Sequence, residues 1–245
     1  MNREKTKNGI KLVVMFVLLF VAFMAINLTN PYHAGDTAKA ALEASIPAVT
    51  VESNEDYIAF IPDDPTAGLI FYPGAKVDYD AYAPLMSALA ERGIAGISVH
   101  LPLNYSLLKK DAAEGIAELY PEVKDWYIGG HSLGGVTAAT YAAEHASEYK
   151  GLVFFASYTM ENINKTELDV LSLYGDQDGV LNKKLYFECI GNLPETTTEY
   201  VIEGGNHAQF GDYGVQDGDN EASISAQEQV TVTADAIAEW MKNAA

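Results

Sequence analysis

An α/β fold, with a mainly parallel sheet covered by helices on both faces, is what the sequence predicts. Short runs of strand length alternate with helical stretches along most of the chain. Runs such as Gly68–Tyr72 and Gly151–Ala156 are continuously apolar, as expected of strands buried on both sides. The 245 residues are 49% hydrophobic and 20% charged, enough for one domain with a sizeable core.

The elements follow in order. Residues 1–28 are basic and then apolar: Arg3, Lys5, Lys7 and Lys11 against Glu4, then an unbroken apolar run from Leu12 to Ile26. This reads as a signal anchor, with a cleaved secretory signal peptide as the alternative. The nearest small-x-small site, Ala38-Lys39-Ala40, lies about ten residues beyond the run, too far for ordinary cleavage. The basic flank keeps the N-terminus cytoplasmic and places the rest outside the membrane. Residues 29–45 read as a polar spacer, and 46–245 as the folded domain.

Val49–Val51 and Tyr57–Ile61 read as a strand hairpin around Ser53-Asn54-Glu55-Asp56. Gly68–Tyr72 is a strand, and Tyr82–Arg92 a helix closed by Gly93. Ile94–Leu101 is a strand, followed by a helix over about 106–120. Trp126–Ile128 is a strand, and a small-residue helix follows it from Gly134 to Ala146. Gly151–Ala156 and Val170–Tyr174 are strands, Lys183–Ile190 a helix and Glu199–Ile202 a strand. The last helix spans about 226–242, with Ser225 and Glu228 spaced as a capping box.

Beyond residue 11 the chain carries 11 Lys and Arg against 33 Asp and Glu, a net of −22. So acidic a body repels phosphate backbones, which argues against a nucleic-acid partner. The single Cys189 excludes an internal disulfide and reads as a buried thiol. No Cys/His cluster calls for a metal. Asp212, Asp217, Asp219 and Glu221 lack EF-hand spacing and read as a solvated acidic loop.

The chemistry centres on Gly130-His131-Ser132-Leu133-Gly134. A strand runs into this pentapeptide and a helix runs out of it. Glycines flank the serine where a Cβ would collide, and the helix N-terminus favours the negative charge that acyl transfer develops. Gly130-His131-Ser132-Leu133-Gly134-Gly135 is similar to the nucleophile elbow of the α/β-hydrolase superfamily, and the order of elements from about residue 49 resembles its compact core. Within the superfamily the chain most resembles small dienelactone-hydrolase-like members with an N-terminal membrane segment. Dienelactone hydrolases proper use a cysteine where this chain has Ser132, so their substrate is not carried over.

The resemblance implies an α/β-hydrolase fold and the order Ser, acid, His. Ser132 is then the nucleophile. His207, in the loop after the strand ending at Ile202, is the base. The acid follows Tyr174, where Asp176 and Asp178 compete; a pattern similar to Gly-x-x-Asp selects Asp178. The oxyanion donors implied are the backbone N–H groups of Leu133 and Ala75, with Gly74 the fallback for the second. His131 reads as a packing residue, His145 as solvent-facing, His33 as part of the spacer, and His100 as a strand-end residue near the pocket. Gln209, Phe210 and Tyr213 are candidate pocket walls. Tyr158–Glu167 offers only ten residues where many superfamily members insert a cap, so no cap domain is expected and the site should be open.

The activity implied is hydrolysis of a small-molecule or exposed carboxylic ester or thioester, with no cofactor. An acyltransferase with the same triad and a catalytically silent binding module on the same fold are the alternatives. Nothing in the sequence specifies an oligomeric state.

Overall fold

A computed structural model describes Met15 and residues 30–243. The chain divides into two compact units, Met1–Pro31 and Tyr32–Ala245. The sheet, the helices and the candidate site belong to the second. The apolar run expected as a membrane segment within residues 1–28 lies outside the described residues apart from Met15. Among the described residues no helix is long and apolar enough to cross a membrane.

Eight strands form one sheet: β1 (Val49–Ser53), β2 (Tyr57–Pro62), β3 (Ala67–Tyr72), β4 (Ile94–Val99), β5 (Trp126–His131), β6 (Gly151–Phe155), β7 (Asp169–Gly175) and β8 (Thr198–Ile202). Their spatial order is β1-β2-β4-β3-β5-β6-β7-β8. The pairs β1–β2 and β2–β4 are antiparallel, and every later pair is parallel. Successive residues of one strand feed opposite cores: Leu69 and Phe71 pack on one face, Ile70 and Tyr72 on the other. Helices α2 (Ala83–Ala90) and α6 (Ala226–Asn243) cover the first face, and α4 (Leu133–Glu144) covers the second. Helix α5 (Lys183–Cys189) is capped by Asn182, whose side chain accepts the Leu185 N–H. Ser225 Oγ likewise accepts the Glu228 N–H at the start of α6. The segment between β6 and β7 is short, and among the described residues there is no separate cap domain.

Two segments differ from the sequence expectation. The stretch 29–45, expected as a spacer, contains helix α1 (Asp36–Glu43), and Ala38 is fully buried in the core. Its first turn lacks a cap of its own. Asp212 supplies one, accepting the Ala38 N–H through Oδ2 and the Gly35 N–H through its carbonyl. The continuous helix expected over 106–120 is broken into a 3-10 turn at Ser106–Leu108 and a single turn α3 (Ile116–Leu119). The Tyr72 hydroxyl donates to the Lys110 carbonyl (2.7 Å) and accepts the Ala113 N–H (3.0 Å), taking main-chain groups that a helix would pair internally. Gly115 then turns through left-handed φ (+76°) into α3.

Candidate active site

Four loops at the C-terminal ends of β3, β5, β7 and β8 carry the sequence candidates, the usual place for a site in a parallel sheet. Between β5 and α4, Ser132 has φ +52° and ψ −122°, a strained backbone for a residue with a Cβ. Neighbouring main chain holds it there: its N–H donates to the Phe155 carbonyl (3.0 Å), and its own carbonyl accepts the Ser157 hydroxyl (2.7 Å). The turn is too tight for side chains on either flank. A Cβ on Gly130 would lie 2.6 Å from the Tyr72 carbonyl oxygen, and one on Gly134 would collide with the carbonyl oxygens of Tyr72 and Pro73.

His207 and Asp178 meet at 2.8 Å, Nδ1 to Oδ2, with both side chains shut off from solvent. Burial alone would raise the Asp178 carboxyl. The His207 hydrogen bond and charge, with the N–H groups of Leu181 (2.7 Å) and Val180 (2.8 Å) on Oδ1, outweigh it and hold the carboxyl below its usual range. Asp178 is therefore ionised and can only accept, so His207 donates to it from Nδ1. The His207 Nε2 is buried and has no hydrogen-bond partner among the described residues. Asp176 does not reach the histidine; its Oδ1 accepts the Gly204 N–H at 2.8 Å and holds the loop. Ser132 and His207 line one cavity of about 240 Å³, walled by Leu133, Val136, Val180 and Leu181.

Leu133 is the first residue of α4, so its N–H is one of the donors a helix leaves without an internal acceptor. On the β3 loop the Gly74 N–H is already given to the Tyr82 hydroxyl (3.0 Å). The next N–H, that of Ala75, makes no hydrogen bond among the described residues. The fallback donor is thus occupied and the first choice is open.

Residues 68–231 match the sequence profile of the Alpha/beta hydrolase family. The chain belongs to that family. No curated protein sequence matches this α/β hydrolase. Among solved structures it is similar to Est1E from Butyrivibrio proteoclasticus with ferulic acid bound: 14% identity, TM-score 0.58, covering 81% of this chain and 97% of that one. It is similar to a dienelactone hydrolase from Anabaena variabilis at 13% identity and TM-score 0.57, covering 80% and 98%. A monoglyceride lipase from Saccharomyces cerevisiae aligns at 11% identity and TM-score 0.60, covering 83% and 96%. At these identities the likeness is one of fold.

Several expectations of this α/β hydrolase change. Phe210 and Tyr213 do not wall the Ser132 cavity; they are buried against His131, with centroids 5.6 and 6.5 Å away. Gln209 lines a different cavity, of about 600 Å³. His100 is exposed, bonded to the Glu55 carbonyl and stacked on Tyr79. The acidic loop is not simply solvated, because Asp212 and Asp219 both accept main-chain N–H groups. Sequence reasoning missed Tyr82, Asp219 and Gln229, whose partners are distant in the chain and carry no motif.

Proposed function

We propose that this α/β hydrolase is a serine hydrolase that cleaves a carboxylic ester or thioester through an acyl-enzyme on Ser132. The observation that carries the reading is the buried Asp178–His207 pair, whose histidine lines one small cavity together with a strained Ser132. His207 Nε2 takes the Ser132 hydroxyl proton as Oγ attacks the acyl carbonyl. The N–H groups of Leu133 and Ala75 receive the oxyanion. His207 returns the proton to the leaving alcohol or thiol, and water, activated by the same nitrogen, releases the acid. Throughout, Asp178 supports the imidazolium.

The apolar walls and small volume of the cavity favour a small acyl group, and the short β6–β7 connection favours an open site. The similar structures, Est1E with ferulic acid bound and a monoglyceride lipase, are consistent with ester chemistry. We further propose that the apolar run Leu12–Ile26 anchors the protein in a membrane with the hydrolase domain on the extracytoplasmic side.

The experiment is labelling of the full-length protein with a fluorophosphonate, followed by a panel of p-nitrophenyl esters of increasing chain length. Covalent labelling of the wild type, lost in Ser132→Ala, is the expected result, with the best turnover on short acyl chains. A wild type that takes no label and turns over no ester sinks the reading.

A further inference from the structure

The loops that carry the acid and the base are joined on each side of the pair. Before the pair they bond directly: the Gln177 N–H donates to the Gly205 carbonyl at 2.9 Å. After the pair, a third carboxylate joins them. Asp219 Oδ1 accepts the N–H of Gly179, next to Asp178, at 3.0 Å, and Oδ2 accepts the N–H of Ala208, next to His207, at 2.9 Å. Oδ1 also takes the Asn220 N–H (3.0 Å), which fixes the carboxylate on its own turn. That turn lies directly on the acid loop, since a Cβ on Gly179 would sit 2.6 Å from the Gly218 carbonyl oxygen. From α6, Gln229 grips both main-chain groups of Asn206, accepting its N–H (2.9 Å) and donating to its carbonyl (2.8 Å).

Resting on the hydrolase reading of Ser132, we propose that Asp219 is a positioning residue for the acid–base pair. It bridges the residue after Asp178 to the residue after His207 and so sets the distance across which the two side chains meet. Asp219 touches neither the reacting serine nor the Ser132 cavity. Its effect passes through the loops: releasing it lets the imidazole swing relative to Ser132, and small misplacements of this kind weaken proton transfer more than substrate binding.

The test compares full-length wild type with Asp219→Ala, Asp219→Asn and Gly179→Ala. Gly179→Ala pushes the 218–220 turn off the acid loop without removing a charge. The expected result is a fall in kcat of about tenfold or more, with KM within about twofold of wild type. The rate of fluorophosphonate labelling falls with kcat, while the fraction finally labelled stays that of the wild type. A kcat for the Asp219 variants within about twofold of wild type overturns the positioning role. So does a loss matched by a smaller labelled fraction, because that marks unfolding rather than misplacement. Should Asp219→Ala not fold, Asp219→Asn and Gly179→Ala decide between these outcomes. If the wild type itself neither labels nor turns over esters, the hydrolase reading fails and takes this role with it. If the wild type is active and the variants equal it, only the role of Asp219 fails.

Discussion

At the scale of single residues, the side chain that orders the loop after β3 is a tyrosine outside every motif. Burial holds the Tyr82 phenol far above its ordinary range, the Gly74 N–H only partly offsetting this, so the hydroxyl keeps its proton. It accepts the Gly74 N–H and shares a hydrogen bond with His131 Nδ1 at 2.8 Å. Tyr82→Phe leaves both partners buried and unpaired. We expect a loss of about 1–3 kcal/mol in chemical denaturation, together with a lower kcat as the Ala75 N–H loses its support. Wild-type stability and kcat in that variant would contradict this account. Burial, and then the His207 ring 4.4 Å away, hold His131 well below the usual imidazole range. It stays neutral in the folded protein, whereas the unfolded chain takes up a proton below about pH 6.5. His131 thus contributes a loss of stability as pH falls through that value. His131→Gln should flatten the decline in melting temperature between about pH 7 and 5 relative to wild type. An unchanged slope would refute the assignment.

At the scale of elements, the sequence was most legible where physics is local. The parallel strands could be read as short apolar runs, and the meeting of Asp178 with His207 from their loops after successive strands. The elbow glycines were legible too, because the close approach of Tyr72 and Pro73 to Gly134 leaves no room for a Cβ. Less legible were elements decided by a distant partner. The helix expected over 106–120 is undone by the Tyr72 hydroxyl, 38 residues before the Lys110 carbonyl it takes. Helix α1 looked like a spacer because its cap, Asp212, lies 174 residues from Ala38. Asp219 looked like a solvated charge for the same reason. The cap has a measurable consequence. Asp212→Ala should speed hydrogen exchange in Asp36–Glu43 and cost about 1 kcal/mol of stability, the usual worth of an N-cap. Exchange there as slow as in the wild type would show that packing of Ala38 alone holds the helix.

At the scale of the whole molecule, the charge distribution bears on how the protein meets a membrane. A net of −22 beyond residue 11 makes electrostatic adsorption to anionic lipid unfavourable, while the first eleven residues are net +3. Membrane association, on the proposal made above, must therefore come from insertion of the apolar run, and insertion is insensitive to salt. The full-length protein should remain in the membrane fraction through washes in high salt and alkaline carbonate. A chain lacking residues 1–31 should move to the soluble fraction and, because Tyr32–Ala245 is a separate compact unit, still label at Ser132 with fluorophosphonate. Salt-released full-length protein would point to surface adsorption, against the charge argument. A truncated chain that still pellets with lipid would place the membrane contact in the hydrolase domain itself.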